Sequence, residues 1–251
     1  LLGAVGGDDF GHARLRDLRA EGIDTADIAE LPGESSGVAL IVVETGGENR
    51  IAYVPGATAA ISAEAALTAL RRLMPTVLLC TLELPLETLA ALIPAAKRQG
   101  TRTVLCAAPE PEQARALLPA VDVLIVNKIE AAALLDLPDD ALDSEELPGL
   151  LRALGPGTVI LTLGKEGAAA LIADQLVREP AIAIEVVDTT GAGDAFAGAF
   201  AAALVEERPM LEALQRGIVA GGLAASRPGA QPSMPTAAQI DQAIARQREP
   251  G

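Results

Sequence analysis

The sequence predicts an α/β fold: a three-layer, doubly wound, mostly parallel sheet with a small β hairpin. Three observations carry this. From Thr76 to Leu163, short apolar runs alternate with helical stretches, strand then helix. The strand runs are nearly continuous in apolar residues, as strands covered on both faces are. Finally, Gly37 to Glu44 and Asn49 to Val54 flank Thr45-Gly46-Gly47-Glu48, a local antiparallel hairpin signal. Right-handed crossovers follow from the alternation.

In chain order, Leu1 to Gly6 reads as a strand entering a Gly turn, and Asp9 to Ala20 as a helix stopped at Gly22. After the hairpin, Pro55-Gly56-Ala57 turns the chain and Ser62 caps a helix to about Leu73. Val77 to Cys80 is a strand, followed by Glu83 and a helix from Pro85 to Lys97-Arg98. Thr103 to Ala107 and Val121 to Val126 are strands, with a short helix from Glu112 to Leu118 between them. Asn127 ends the second strand, Glu130 to Leu135 is helical, and Asp136 to Asp143 is an acidic loop. Ser144 to Leu154 is a helix with Glu145 and Glu146 in its first turn, where the helix dipole favours them. Thr158 to Leu163 is a strand ending in Gly164-Lys165-Glu166-Gly167, and Ala168 to Ile172 with Gln175 to Arg178 form a second hairpin. The apolar run Ala181 to Val187 reads as a buried strand; helices follow to about Val205, from Met210 to Ala225, and at the end to Arg246.

Composition narrows the function. Half the residues are apolar but only 2% are aromatic, so a core of Ala, Leu, Val and Ile is expected, in one domain over residues 1–251. A net charge of −15 argues against nucleic acid and anionic membrane as partners, while a local anion pocket stays compatible with it. Cys80 and Cys106 lie in apolar runs and read as two buried thiols in a reducing, cytoplasmic setting. There is no long uncharged apolar span and no signal-peptide pattern. The single histidine, His12, sits among Gly, Ala and Arg, which argues against Ser-His-Asp catalysis and multi-His metal sites.

The stretch with the clearest chemistry is Asp188-Thr189-Thr190-Gly191-Ala192-Gly193-Asp194. Glycines allow close backbone approach to a ligand, and a helix start offers unpaired N–H groups. The amides of Gly191, Ala192 and Gly193 thus form a candidate anion pocket with Asp194 at its edge. Asp194 has two readings here, a functional carboxylate or a helix N-cap. The rule that sites in open α/β sheets lie beyond the carboxyl ends of strands gathers Glu83, Asn127 with Glu130, the Gly164–Gly167 turn and Asp188–Asp194.

That Asp-Thr-x-Gly-Ala-Gly-Asp run resembles the second signature of the ribokinase-like (PfkB) carbohydrate kinases. Ser36-Gly37-Val38-Ala39-Leu40, Gly47-Glu48-Asn49, Glu83-Leu84-Pro85-Leu86-Glu87, Leu161-Thr162-Leu163-Gly164 and Gly229-Ala230-Gln231-Pro232-Ser233 resemble the same family in the same order. The resemblance implies an ATP-dependent sugar kinase making D-ribose 5-phosphate from D-ribose. Related kinases for deoxyribose, another pentose or a nucleoside remain as alternatives, as does a non-catalytic nucleotide-binding relative. It implies Asp194 as the base toward the sugar hydroxyl, with Gly191, Ala192 and Gly193 stabilising the transferred phosphoryl group. It assigns Asn127, Thr162, Gly164, Lys165, Glu166, Gly167 and Gly193 to ATP, and Glu130 to Mg2+ through water. Glu83 would contact the sugar, and K+ would lie at Asp188, Thr190, Ala224, Arg227, Gly229 and Ser233, mostly on backbone carbonyls. The bland readings stand beside these: a surface charge for Glu83, a first-turn helix carboxylate for Glu130, a strand-end cap for Asp188, and an ordinary connection for the Gly164–Gly167 turn.

The hairpin over residues 37–54 resembles the family's lid, which excludes water and pairs its edges into a homodimer. The pattern also departs from the family. Its first strand with a sugar-binding Asp and its Gly-Gly-Lys-Gly-x-Asn run have no counterpart, so the resemblance implies an N-terminally incomplete domain. Gly217 and Ile218 stand where relatives often place a polar adenine contact.

Overall fold

The computed structural model describes residues 1–43, 49–138 and 145–248. These divide into two compact units, Leu1–Met74 with Leu82–Ala95, and Pro75–Thr81 with Ala96–Gly251.

In the smaller unit, β1 (Leu2–Gly6) runs into α1 (Asp9–Ala20), and β2 (Asp27–Leu31) returns to pair with β1 in parallel. The sequence reading missed β2, whose DIAEL composition carries no strand periodicity; its pairing with β1 is what makes it a strand. Asp8 organises this corner. Its Oδ1 accepts from the Gly11 amide at 2.8 Å and from Ser36 Oγ at 2.6 Å, while Oδ2 accepts from the Ser36 amide at 2.8 Å. Ser36 Oγ in turn accepts from the Gly6 amide at 2.9 Å. One side chain thereby caps α1 and ties it to residue 36. The hydrogen bonds from Ser36, then that from Gly11, pull the Asp8 carboxyl down to about 2. The expected hairpin forms from β3 (Val38–Val43) and β4 (Asn49–Val54), antiparallel with Val38 opposite Val54; its Thr45–Glu48 turn lies outside the described residues. The helix α2 (Ala63–Leu73) is capped by Ser62, as expected. Ala4, Ala57 and Ile61 form the local core, with Leu2, Leu31 and Leu84 against them.

The larger unit is built on one six-stranded sheet. The strands β5 (Val77–Thr81), β6 (Arg102–Cys106), β7 (Val123–Asn127) and β8 (Thr158–Thr162) are parallel neighbours, and β9 (Ala168–Ile172) and β10 (Gln175–Glu179) add an antiparallel hairpin to β8. Strand alternation sends Val123, Ile125 and Ile160 to one face, where they meet Phe196, Phe200, Ala203 and Leu214. Those residues belong to α6 (Ala192–Val205) and α7 (Met210–Ala225). Leu124, Val126, Val159 and Leu161 alternate with them and are equally buried, and α4 (Lys128–Leu135) and α5 (Leu147–Ala153) pack on β7 and β8. The helix α3 (Leu86–Arg98) precedes β6, and α8 (Ala237–Arg248) ends the described chain against α7.

Three expectations change. Residues 181–187 are not a strand: Pro180 lacks an N–H to continue the ladder after β10, and Val186 and Val187 are each 58% exposed. Residues 111–120 make two 3-10 turns, Pro111–Ala116 and Leu118–Ala120, each with a proline in its first turn. The helix expected from Ser144 starts at Leu147, with Pro148 in its first turn, so Glu145 and Glu146 precede it. The acidic loop falls mostly at 139–144, outside the described residues.

Phe200 is fully buried and stacks on Phe196 with ring centroids 6.3 Å apart. Phe200→Ala is expected to cost about 3–5 kcal/mol in urea unfolding. Asp8 gives a pH test. Its folded pKa lies below 3.8, so its stabilisation is complete above about pH 4 and is lost as pH falls toward 2. Asp8→Asn keeps a capping side chain and should flatten the acid side of the stability curve over that window, measured by circular dichroism.

Candidate active site

The site in the larger unit starts from one backbone constraint. Gly191 holds φ 76°, a left-handed conformation, and serves as N-cap of α6 without a side chain. The helix therefore begins at Ala192, and Asp194 is its third residue, where no capping hydrogen bond engages its carboxylate. This corrects the N-cap reading of Asp194, because glycine does that work through its backbone. The amide of Ala192 donates to Thr189 O at 3.1 Å, so it is spent on the turn. The N–H groups of Gly191, Gly193 and Asp194 have no acceptor among the described residues. The candidate anion pocket thus keeps two of the three expected amides, Gly191 and Gly193, and exchanges Ala192 for Asp194.

A cavity of about 430 Å³ opens beside this helix start. Thr162, Gly164, Lys165, Gly167, Thr189 and Gly193 line one part of it. Ile182, Ile184, Val186, Phe196 and Ile218 supply its apolar walls. The run 181–187, displaced from the sheet, thus lines a cavity with its isoleucines. Gly167 is required by close approach: a Cβ there would lie 2.0 Å from Glu179 O. Glu166, Asn127 and Asp194 do not line this cavity.

Asn127 and Thr162 are paired across β7 and β8 at the ends of those strands. Asn127 and Glu130 form a reciprocal capping box: Asn127 Oδ1 accepts from the Glu130 amide, and the Glu130 carboxylate accepts from the Asn127 amide and Nδ2, all at 2.8–2.9 Å. The first-turn reading of Glu130 is therefore correct as far as its side chain goes. Burial pushes its carboxyl up, opposed by the Asn127 amide. Burial likewise raises Asp194, although solvent still reaches it. Both carboxylates act on the Cys106 thiol at the end of β6, which burial chiefly, then Asp194 and Glu130, push up to about 12. Cys80 and Cys106 are both free, as expected.

Asp188 behaves oppositely. Its Oδ1 accepts from the Thr190 amide at 2.9 Å and its Oδ2 from the Gly229 amide at 2.8 Å, and hydrogen bonds from Thr190, then Gly229, lower its pKa. Asp188, Thr190 and Gly229 are thus brought together. Ala224 and Arg227 are joined by a turn, and Ser233, fully buried, donates to Ala230 O at 2.7 Å in the same loop.

Among the described residues no group of three or more His, Cys, Asp or Glu is arranged to hold a metal directly. Glu130, with both oxygens already accepting, suits water-mediated contact to Mg2+, which keeps much of its hydration. Glu83 lies in the smaller unit, beside Tyr53 of β4. Burial and then the Glu83 charge raise the Tyr53 hydroxyl. Tyr53, the single tyrosine, was missed; its place at a hairpin end in an aromatic-poor chain was the available signal.

Asp188→Ala frees two amides at once. Hydrogen exchange at Thr190 and Gly229 is expected to quicken together, while the β7 and β8 amides keep their protection.

Comparison with known proteins follows this geometry. The profile of the pfkB family of carbohydrate kinases matches residues 1–237. The chain is 31% identical to ribokinase of Schizosaccharomyces pombe over 248 residues, 96% of this chain and 78% of that protein. It is 32% identical to deoxyribokinase of Salmonella typhimurium over 247 residues, 96% of this chain and 80% of that one. Ribokinase of Thermotoga maritima superposes with a TM-score of 0.85 at 29% identity, covering 97% of this chain and 80% of that one. Arabidopsis thaliana ribokinase, solved with ribose and ATP, gives 0.85 at 27% identity with the same coverage. On a family match running from residue 1 to residue 237, the chain belongs to the pfkB family of carbohydrate kinases.

Proposed function

We propose that this chain is an ATP-dependent sugar kinase that phosphorylates D-ribose to D-ribose 5-phosphate. The observation that carries the reading is the start of α6, where open amides at Gly191, Gly193 and Asp194 adjoin a partly desolvated Asp194 carboxylate. Phosphoryl transfer asks mainly for positioning and charge stabilisation. Asp194 takes the proton from the attacking hydroxyl, the hydroxyl oxygen bonds to the γ-phosphorus, and the bond to the β-phosphate oxygen breaks to release ADP. The amides stabilise charge on the transferred group. Thr162, Gly164, Lys165 and Gly167 hold the nucleotide from the cavity wall.

Glu83 binds sugar hydroxyls as a charge-assisted acceptor, with the β3–β4 hairpin as lid. Asn127 and Glu130 would hold Mg2+ through its hydration shell, and the ion would supply charge neutralisation on the phosphates. Asp188, Thr190, Ala224, Arg227, Gly229 and Ser233, mostly through backbone carbonyls and with Asp188 as the charged exception, would hold K+, which would add positive charge beside the pocket. We place the protein in the cytoplasm, in keeping with its two free thiols, as a homodimer paired through hairpin edges. Among the described residues no helix is long and apolar enough to cross a membrane. Deoxyribose is the second acceptor to test, given the similarity to deoxyribokinase.

The deciding assay is coupled ADP release over a sugar panel, with and without K+. Ribose-dependent release is expected, stimulated by K+; a folded sample releasing no ADP with any sugar would sink the reading. Asp194→Asn should lower kcat by about 10²–10⁴-fold while ADP binding persists. Because Asp194 must be ionised and its pKa is raised, kcat/KM should fall, as pH is lowered, at a higher pH than an ordinary aspartate would give.

A further inference from the structure

A second cavity of about 420 Å³ lies in the larger unit, and no role has yet been given to it. Ile182 and Ile218 line both cavities, so the two adjoin at that isoleucine pair. The polar side chains of the second cavity are Glu179, Gln215 and Gln247, and none of its lining residues is cationic. Glu179 is the last residue of β10, and Gln215 lies on α7. Gln215 Nε2 donates to Glu179 Oε2 at 3.1 Å, which orients the carboxylate and leaves Oε1 without a partner among the described residues. The backbone of Glu179 is itself set by its close approach to Gly167, in the turn that lines the first cavity.

The chemistry along this path is polarised. At the Gly193 end, open amides and Lys165 favour an anion. In the middle, Ile182 and Ile218 favour a flat apolar ring. At the far end a half-buried carboxylate repels an anion and accepts N–H groups. A ligand matching all three is phosphate at one end, a heteroaromatic ring in the middle and an amino group at the other end. We propose that the Glu179–Gln215 pair selects the nucleobase of the phosphoryl donor by accepting from a purine 6-amino group. This rests on the kinase reading above. A purine with a 6-oxo group would turn a carbonyl oxygen toward the carboxylate and leave both acceptors unpaired. Glu179 is a specificity residue here and takes no part in the chemical step.

ATP and ITP differ at this position, so they are the probes. The wild-type chain should use ATP with a kcat/KM at least about tenfold above that for ITP, as expected for a hydrogen bond to a charged group. Glu179→Gln, whose amide can donate as well as accept, should shrink that ratio about tenfold through KM, with kcat for ATP unchanged. Calorimetric titration of ADP and IDP runs in parallel and needs no turnover. Loss of ADP-over-IDP preference in folded Glu179→Gln supports the inference even if the chain turns over no sugar, in which case only the kinase reading fails. Robust turnover with equal use of ATP and ITP, or a preference unmoved by both Glu179→Gln and Gln215→Ala, overturns the inference and leaves the kinase reading intact.

Discussion

The candidate site depends on how the carboxylate of Asp188 is divided between two backbone amides. One oxygen fixes the Thr190 amide two residues ahead, and the other fixes the Gly229 amide far along the chain. This single side chain sets the direction of the turn into Gly191 and anchors the loop that follows α7. From the turn, a left-handed Gly191 starts α6 at Ala192, two residues before Asp194, where the sequence pattern opened the helix. The early start consumes the Ala192 amide and frees those of Gly193 and Asp194. Backbone accounting, more than side-chain identity, thus decides which N–H groups face a ligand.

The carboxylates around this turn are tuned in opposite directions by two different causes. Hydrogen bonding holds Asp188 low, while burial raises Glu130 and Asp194. The division matches the roles proposed for them. A scaffold carboxylate should stay ionised over a wide pH range, because its charge-assisted bonds hold two segments together. A proton acceptor should be basic enough to take a proton in the transition state. Glu130 is intermediate in kind, since the capping box satisfies both oxygens and leaves outward lone pairs for water.

Polarity across the two adjoining cavities explains how a strongly acidic chain can serve a polyanionic substrate. The open amides and Lys165 lie at one end, and Glu179 at the other, with isoleucines between. Net charge governs long-range encounter, whereas binding depends on the local dipoles and charges within a few ångströms.

Much of the architecture was legible because period and punctuation are local. The strands at 77–81, 102–106 and 123–127, the hairpins and the Ser62 cap all follow from apolar runs, glycines and capping residues. The apolar run at 181–187 misled, because hydrophobicity reports burial or ligand contact alike and cannot tell a strand from a cavity wall. β2 escaped because its hydrogen bonds are made by a partner distant in sequence. By itself, the sequence determined the fold class and the Asp-Thr-Thr-Gly-Ala-Gly-Asp turn, and it singled out Asp194 as the candidate carboxylate. Tertiary structure alone decided that Ala192 gives up its amide, that Asp188 ties Thr190 to Gly229, and that Glu179 meets Gln215 beside a shared isoleucine pair. Those outcomes rest on hydrogen bonds and packing between segments far apart in the chain, which no local pattern encodes.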